Sequence, residues 1–141
     1  MSKPRILVVD DEWGIRQGLK ALLDREGYDV QTAGDAWDAV RWIKRAPFDG
    51  VLIDMDLTRD AELGVNGLDV IALLRIHQPN AKAILISASG DSALTRLARE
   101  RGAVARLEKP VDLAALMRLL RSLFPTDGPA APSSPVLCPS G

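Results

Sequence analysis

The chain has 141 residues, 47% of them hydrophobic and 26% charged, which suits one soluble globular domain and leaves little room for a second. A net charge of -1 and the lack of a long basic run exclude nucleic-acid binding by this chain alone as a first reading. The single cysteine, Cys138, excludes an internal disulfide and agrees with a reducing compartment.

The first apolar run, Ile6 to Val9, is only four residues long. A secretory signal needs an apolar stretch of about 7–15 residues and a membrane helix about 20, so a cytoplasmic protein is expected. Ile6-Leu-Val-Val-Asp10 reads as a buried strand closed by an acid. From about Glu12 to Glu26, apolar residues at Ile15, Leu19, Leu22 and Leu23 recur at helical spacing, and Gly27 supplies a stop. Tyr28 to Thr32 reads as a second strand, and Asp35 caps a helix running to about Ala46. Asp49 to Asp54 is a third strand, again ending in a carboxylate.

After a loop, a helix is expected from about Gly67 to His77, then a fourth strand from Ala81 to Ser87. Asp91 to Arg101 reads as a fourth helix stopped by Gly102, and Ala103 to Leu107 as a short fifth strand. Asp112 caps a last helix with Leu113, Leu116, Leu120 and Leu123 on one face. Five β–α units with apolar strands predict an α/β, doubly wound parallel sheet covered on both faces. From Pro125 five prolines interrupt small and polar residues, so residues 1–124 are expected to form the domain and 125–141 a disordered tail or linker.

Asp10 with Asp11, Asp54, Ser87 and Lys109 all stand at strand ends. In a doubly wound sheet such groups converge outside the carboxyl ends of the strands. Carboxylates about 4 Å apart repel by roughly 4 kcal/mol at an effective dielectric of 20, so three together invite a cation or a raised pKa. Hard oxygen ligands favour Mg²⁺.

Val8-Val9-Asp10-Asp11-Glu12, Leu52-Ile53-Asp54, Ile86-Ser87-Ala88 and Leu107-Glu108-Lys109-Pro110 resemble the signature blocks of response-regulator receiver domains of two-component signalling. The resemblance covers roughly residues 4–124 and implies a flavodoxin-like three-layer sandwich with strand order 2-1-3-4-5. It implies a phosphoacceptor signalling domain rather than a turnover enzyme. Asp54 would take the phosphoryl group, with Ser87 and Lys109 contacting its oxygens. Mg²⁺ would be held by Asp10, Asp11, Asp54 and the backbone carbonyl of Asp56. The donor would be a histidine kinase or phosphotransfer protein. The recipient would be an effector protein, or a C-terminal output domain should the chain be a piece of something longer. Lys109-Pro110 is expected to be cis.

Three departures stand out. Arg106 occupies the switch position where the family carries Tyr or Phe, which puts the usual switch in doubt. Residues Thr58–Val65 form an insertion beside the pocket, read as a surface loop or a lid. Asp56 brings a carboxylate two residues after Asp54, where it would border the path of attacking water. His77 reads as a surface histidine, Trp13, Trp37 and Trp42 as helix-packing residues, and Arg96, Arg99 and Arg101 as the solvated side of helix 4.

Two rivals are weighed. A pseudo-receiver would bind partners without using phosphate. Alternatively, Asp54-Met-Asp56-Leu-Thr58 resembles the first motif of haloacid-dehalogenase-type phosphohydrolases, with Asp54 as nucleophile and Asp56 as acid and base. Such enzymes normally begin with that strand, whereas here two β–α units precede it.

Overall fold

A computed structural model describes residues 3–55, 67–88 and 92–126, the side chains of 92–95 excepted. Asp56, the 58–65 insertion, Asp91 and the tail from 127 onward, Cys138 included, lie outside the described residues.

The chain alternates strand and helix: β1 (Arg5–Val9), α1 (Trp13–Arg25), β2 (Asp29–Ala33), α2 (Ala36–Arg45), β3 (Gly50–Asp54), α3 (Gly67–His77), β4 (Lys82–Ser87), α4 (Ser92–Glu100), β5 (Ala103–Glu108) and α5 (Leu113–Leu123). The strands form one parallel sheet in the order β2-β1-β3-β4-β5. This is the doubly wound arrangement expected, with the reversal of winding between β1 and β3. The apolar strands read continuously because both sheet faces are covered. On one face, α2 and α3 close a core with Leu7, Val9, Val51, Ile53, Leu85 and, from α4, Ala98. On the other, Leu19 and Leu23 of α1 and Leu116, Met117 and Leu120 of α5 cover Ile6, Val8, Leu52, Ile84 and Ile86.

The capping residues act as expected. Asp35 accepts from the Asp38 amide at 2.7 Å, and Asp112 accepts from Ala114 N at 3.0 Å. Such caps satisfy amides that a helix start leaves without a partner. Gly27 and Gly102 end α1 and α4 at φ 101° and 117°, a left-handed conformation that disfavours other side chains.

Two expectations fail on the surface. Trp13 and Trp37 do not pack; they are 69% and 45% exposed. Each sits in the first turn of its helix. Trp42 alone packs, edge-on to Phe48 at 6.2 Å. In α5, Leu113, also in the first turn, is exposed, and Met117 is buried. β5 runs one residue further than expected, to Glu108, because its end stays in register with Ser87. Among the described residues no helix is long and apolar enough to cross a membrane.

Candidate functional site

The carboxyl end of the sheet gathers the chemistry. Val9 pairs with Ile53, so Asp10 and Asp54 leave neighbouring strands at the same level. Asp10 is fixed from three sides: its amide donates to Ala33 O at 3.1 Å, Oδ1 accepts from Glu12 N at 2.9 Å, and its carbonyl accepts from Arg16 Nη1 at 2.8 Å. Asp10 and Asp54 are buried while Asp11 is exposed, and carboxylate oxygens of all three lie within 4.8 Å of one another.

The cation arrives from the far side. Lys109 Nζ stands 3.0 Å from Asp54 Oδ1. Its backbone is anchored as well, the Lys109 amide donating to Ser87 O at 2.9 Å. The following Lys109-Pro110 bond is cis, as the resemblance implied. Ser87, buried at the end of β4, lies one residue beyond the partner of Asp54 in the ladder. The fold therefore brings together Asp10, Asp11, Asp54 and Lys109, with Ser87 at the next strand end.

Burial pushes the Asp10 carboxyl up to about 6. The Glu12 amide opposes that rise, the Asp54 charge adds to it, and the Lys109 ammonium offsets it in part. A buried acid that resists ionising beside two others marks a site short of positive charge. Among the described residues, one ammonium faces three carboxylates here. The donor set, all hard oxygens on one side of the pocket, fits Mg²⁺, which retains waters and accepts phosphate oxygens alongside a few carboxylates.

The sequence profile of the response regulator receiver domain matches residues 6–121. The chain belongs to the response-regulator receiver family. As a receiver domain it is 36% identical over 131 residues to the DNA-binding transcriptional regulator NtrC of Azospirillum brasilense, covering 93% of this chain and 26% of that relative. It thus spans about a quarter of that protein's length. Sporulation initiation phosphotransferase F of Bacillus subtilis is 26% identical over 125 residues, and there the match takes in 97% of the relative. A CheY-like receiver domain from Methanospirillum hungatei superposes with a TM-score of 0.79 at 27% identity, over 86% of this chain and 93% of the other. A response regulator from Burkholderia pseudomallei, solved with a phosphorylated aspartic acid, calcium ion and citrate, gives 0.73 at 27%, over 82% and 65%. None of these similarities favours the phosphohydrolase reading.

Sequence reasoning left two features of the receiver domain unseen. Arg16 clamps the Asp10 carbonyl from one helical turn away; a basic residue shortly after an acid pair is too common to signal this. Beside the pocket runs a groove of about 440 Å³, lined by Ile15, Leu19, Pro110, Val111 and Leu113 and sharing Asp10, Glu12 and Lys109 with the pocket. Ile15 and Leu113 are exposed there. Arg106 sits on β5 opposite Leu85, 19% exposed, its Nη2 3.8 Å from Glu108 Oε1. His77 is on the surface, as expected.

Proposed function

We propose that Asp54 accepts a phosphoryl group from a phosphohistidine of a histidine kinase or phosphotransfer protein, in a Mg²⁺-dependent reaction. An Asp54 oxygen attacks phosphorus in line, an O–P bond forms as the P–N bond breaks, and the electron pair returns to the imidazole. Such transfer is chiefly alignment and neutralisation of charge on the equatorial oxygens. Lys109, already beside Asp54, would pair with one oxygen, and the Ser87 hydroxyl would donate to another. Asp10, Asp11, Asp54 and the Asp56 carbonyl would hold the cation, which when bound supplies the remaining positive charge. A bound cation also favours the ionised Asp10, whose burial raises its pKa to about 6.

The observation that carries this reading is the ammonium of Lys109 at 3.0 Å from a buried aspartate within an acidic triad. The Burkholderia pseudomallei relative, with its phosphorylated aspartic acid and calcium ion, supports it by analogy. The exposed apolar groove sharing residues with the pocket supports docking of the donor protein there, because burying its surface would align the phosphohistidine with Asp54. We place the protein in the cytoplasm, as the receiver unit (residues 1–124) of a two-component pathway. Its output passes to an effector protein or to a further domain beyond the 125–141 linker. Arg106 would relay phosphorylation through its ion pair with Glu108 rather than by an aromatic swing.

Intact-mass measurement after incubation with Mg²⁺ and acetyl phosphate tests the assignment. One added phosphoryl group is expected, absent with Asp54→Ala and absent without divalent cation. A folded wild-type protein that never labels, with this donor or a kinase, would return the pseudo-receiver reading.

A further inference from the structure

A second concave site lies at the other end of the sheet. Arg75, from the last turn of α3, and Arg99 and Arg101, at the end of α4, line a cleft of about 340 Å³. Buried Ile71, Leu74 and Ala83 contribute to its wall. Glu100 is the one acid lining it. The cleft shares no residue with the groove beside the acidic pocket.

Arg75 is held but not neutralised. Arg75 Nη1 donates to the backbone oxygen of Glu100 at 3.1 Å. The Arg75 stem lies over Gly102, where an added Cβ would meet Arg75 Cδ at 3.5 Å. Among the described residues, none of the three arginines is ion-paired, and Arg75 uses one donor of its fork. The Glu100 carbonyl, which would repel an anion, is already occupied by Arg75.

We propose that this cleft binds a compact ligand carrying a dianionic group, a phosphate monoester or a small dicarboxylate. Arginine's planar fork matches the oxygens of both bidentately. Three arginines lining one hollow concentrate positive charge there that an anion would offset. The volume falls near the lower end of the roughly 300–1,000 Å³ typical of small-molecule sites, which suits a metabolite-sized ligand.

The test is an NMR titration of the isotope-labelled full chain with inorganic phosphate, adenosine monophosphate and succinate, in the absence of divalent cations and at constant ionic strength. The arginine side-chain N–H signals and the Gly102 amide are expected to shift together and saturate with at least one of the three. The relative affinities of the phosphates and succinate assign the ligand class. Arg99→Gln with Arg101→Gln should weaken that affinity at least tenfold while the amide spectrum stays folded. Arg99→Lys, which keeps the charge and loses the fork, should weaken it severalfold. Arg41→Gln, on α2, should leave it unchanged. Unsaturated shifts spread over all arginines, or undiminished affinity in the double variant, would overturn the proposal.

Discussion

The two ends of the parallel sheet solve opposite problems. At the carboxyl end, Asp10, Asp11 and Asp54 crowd together against a single ammonium, and Asp10 is driven up to about 6 by burial. At the amino end, outside the arginine cleft, several polar groups find partners. Buried Tyr28 donates its hydroxyl to Phe124 O at 2.9 Å, and Asp49 Oδ2 accepts from Arg5 N at 2.7 Å. Gln78 clasps the α2–β3 turn, accepting from Phe48 N at 2.7 Å and donating to Ile43 O and Ala46 O at 2.7 and 2.6 Å. Stability is concentrated where hydrogen bonds close, and reactivity where charge stays unresolved.

If that division holds, substitutions at the two ends should separate cleanly. Lys109→Ala should slow labelling by acetyl phosphate on the order of a hundredfold, the scale of losing one electrostatic donor, with little loss of stability in urea. Gln78→Leu should do the reverse. It strips three contacts from partly buried backbone groups, so a loss of about 3 kcal/mol is expected in denaturant unfolding, with the labelling rate preserved.

Asp10 offers a subtler separation. Its folded pKa, about 6, lies above the model-peptide value of 3.8, so between these limits the folded state holds the proton more tightly than the unfolded state does. The Asp10 contribution to stability of the metal-free protein is therefore full below about pH 4 and lost as pH rises through about 6, on the order of 3 kcal/mol at most. Asp10→Asn should remove that decline and make the metal-free protein more stable at pH 7, while impairing Mg²⁺ binding. Urea unfolding at pH 4.5 and pH 7, with and without Mg²⁺, reads both effects. A wild-type stability that rises over this interval, matched by Asp10→Asn, would refute the assignment.

Gly50→Ala gives a smaller effect of the stabilising-end type. A Cβ there would lie 2.4 Å from Phe124 Cζ, and the ring is buried. Overpacking of this kind costs about 1–3 kcal/mol, again read by urea without a change in labelling. Tyr28→Phe, which deletes only the hydroxyl bond to Phe124 O, should cost about 1 kcal/mol.

The contrast also explains what the sequence could tell. Branched apolar runs ending in Asp10, Asp54 and Ser87 announce both the strands and the point where the side chains meet, because strand ends in such a sheet share one edge. Gly27 and Gly102 mark helix stops for a local reason, their left-handed backbone. The Gln78 clasp is silent in sequence, since it joins residues 30 to 35 positions apart through backbone atoms that any residue supplies. Periodicity likewise places Ile15 and Leu113 on apolar faces but cannot say how far each helix start is covered, and Ile15, Trp13 and Leu113 are exposed. The arginine cleft escaped because Arg75 and Arg99 belong to different helices, and only the tertiary fold brings both to the wall of one cleft.

The mooring of the last helix has a spatial consequence. Phe124 is seated at Gly50, Thr126 Oγ1 reaches Glu26 O at 3.3 Å, and Arg121 pairs with Glu26. The polypeptide therefore departs from the start of β3, whereas Asp54 ends that strand, about 13 Å away at 3.3 Å per residue. Were Asp54 phosphorylated as proposed, anything tethered beyond Thr126 would hang from the floor of the molecule while its stimulus landed on the roof. News of phosphorylation would have to travel through the body of the domain or around its flank to reach such cargo.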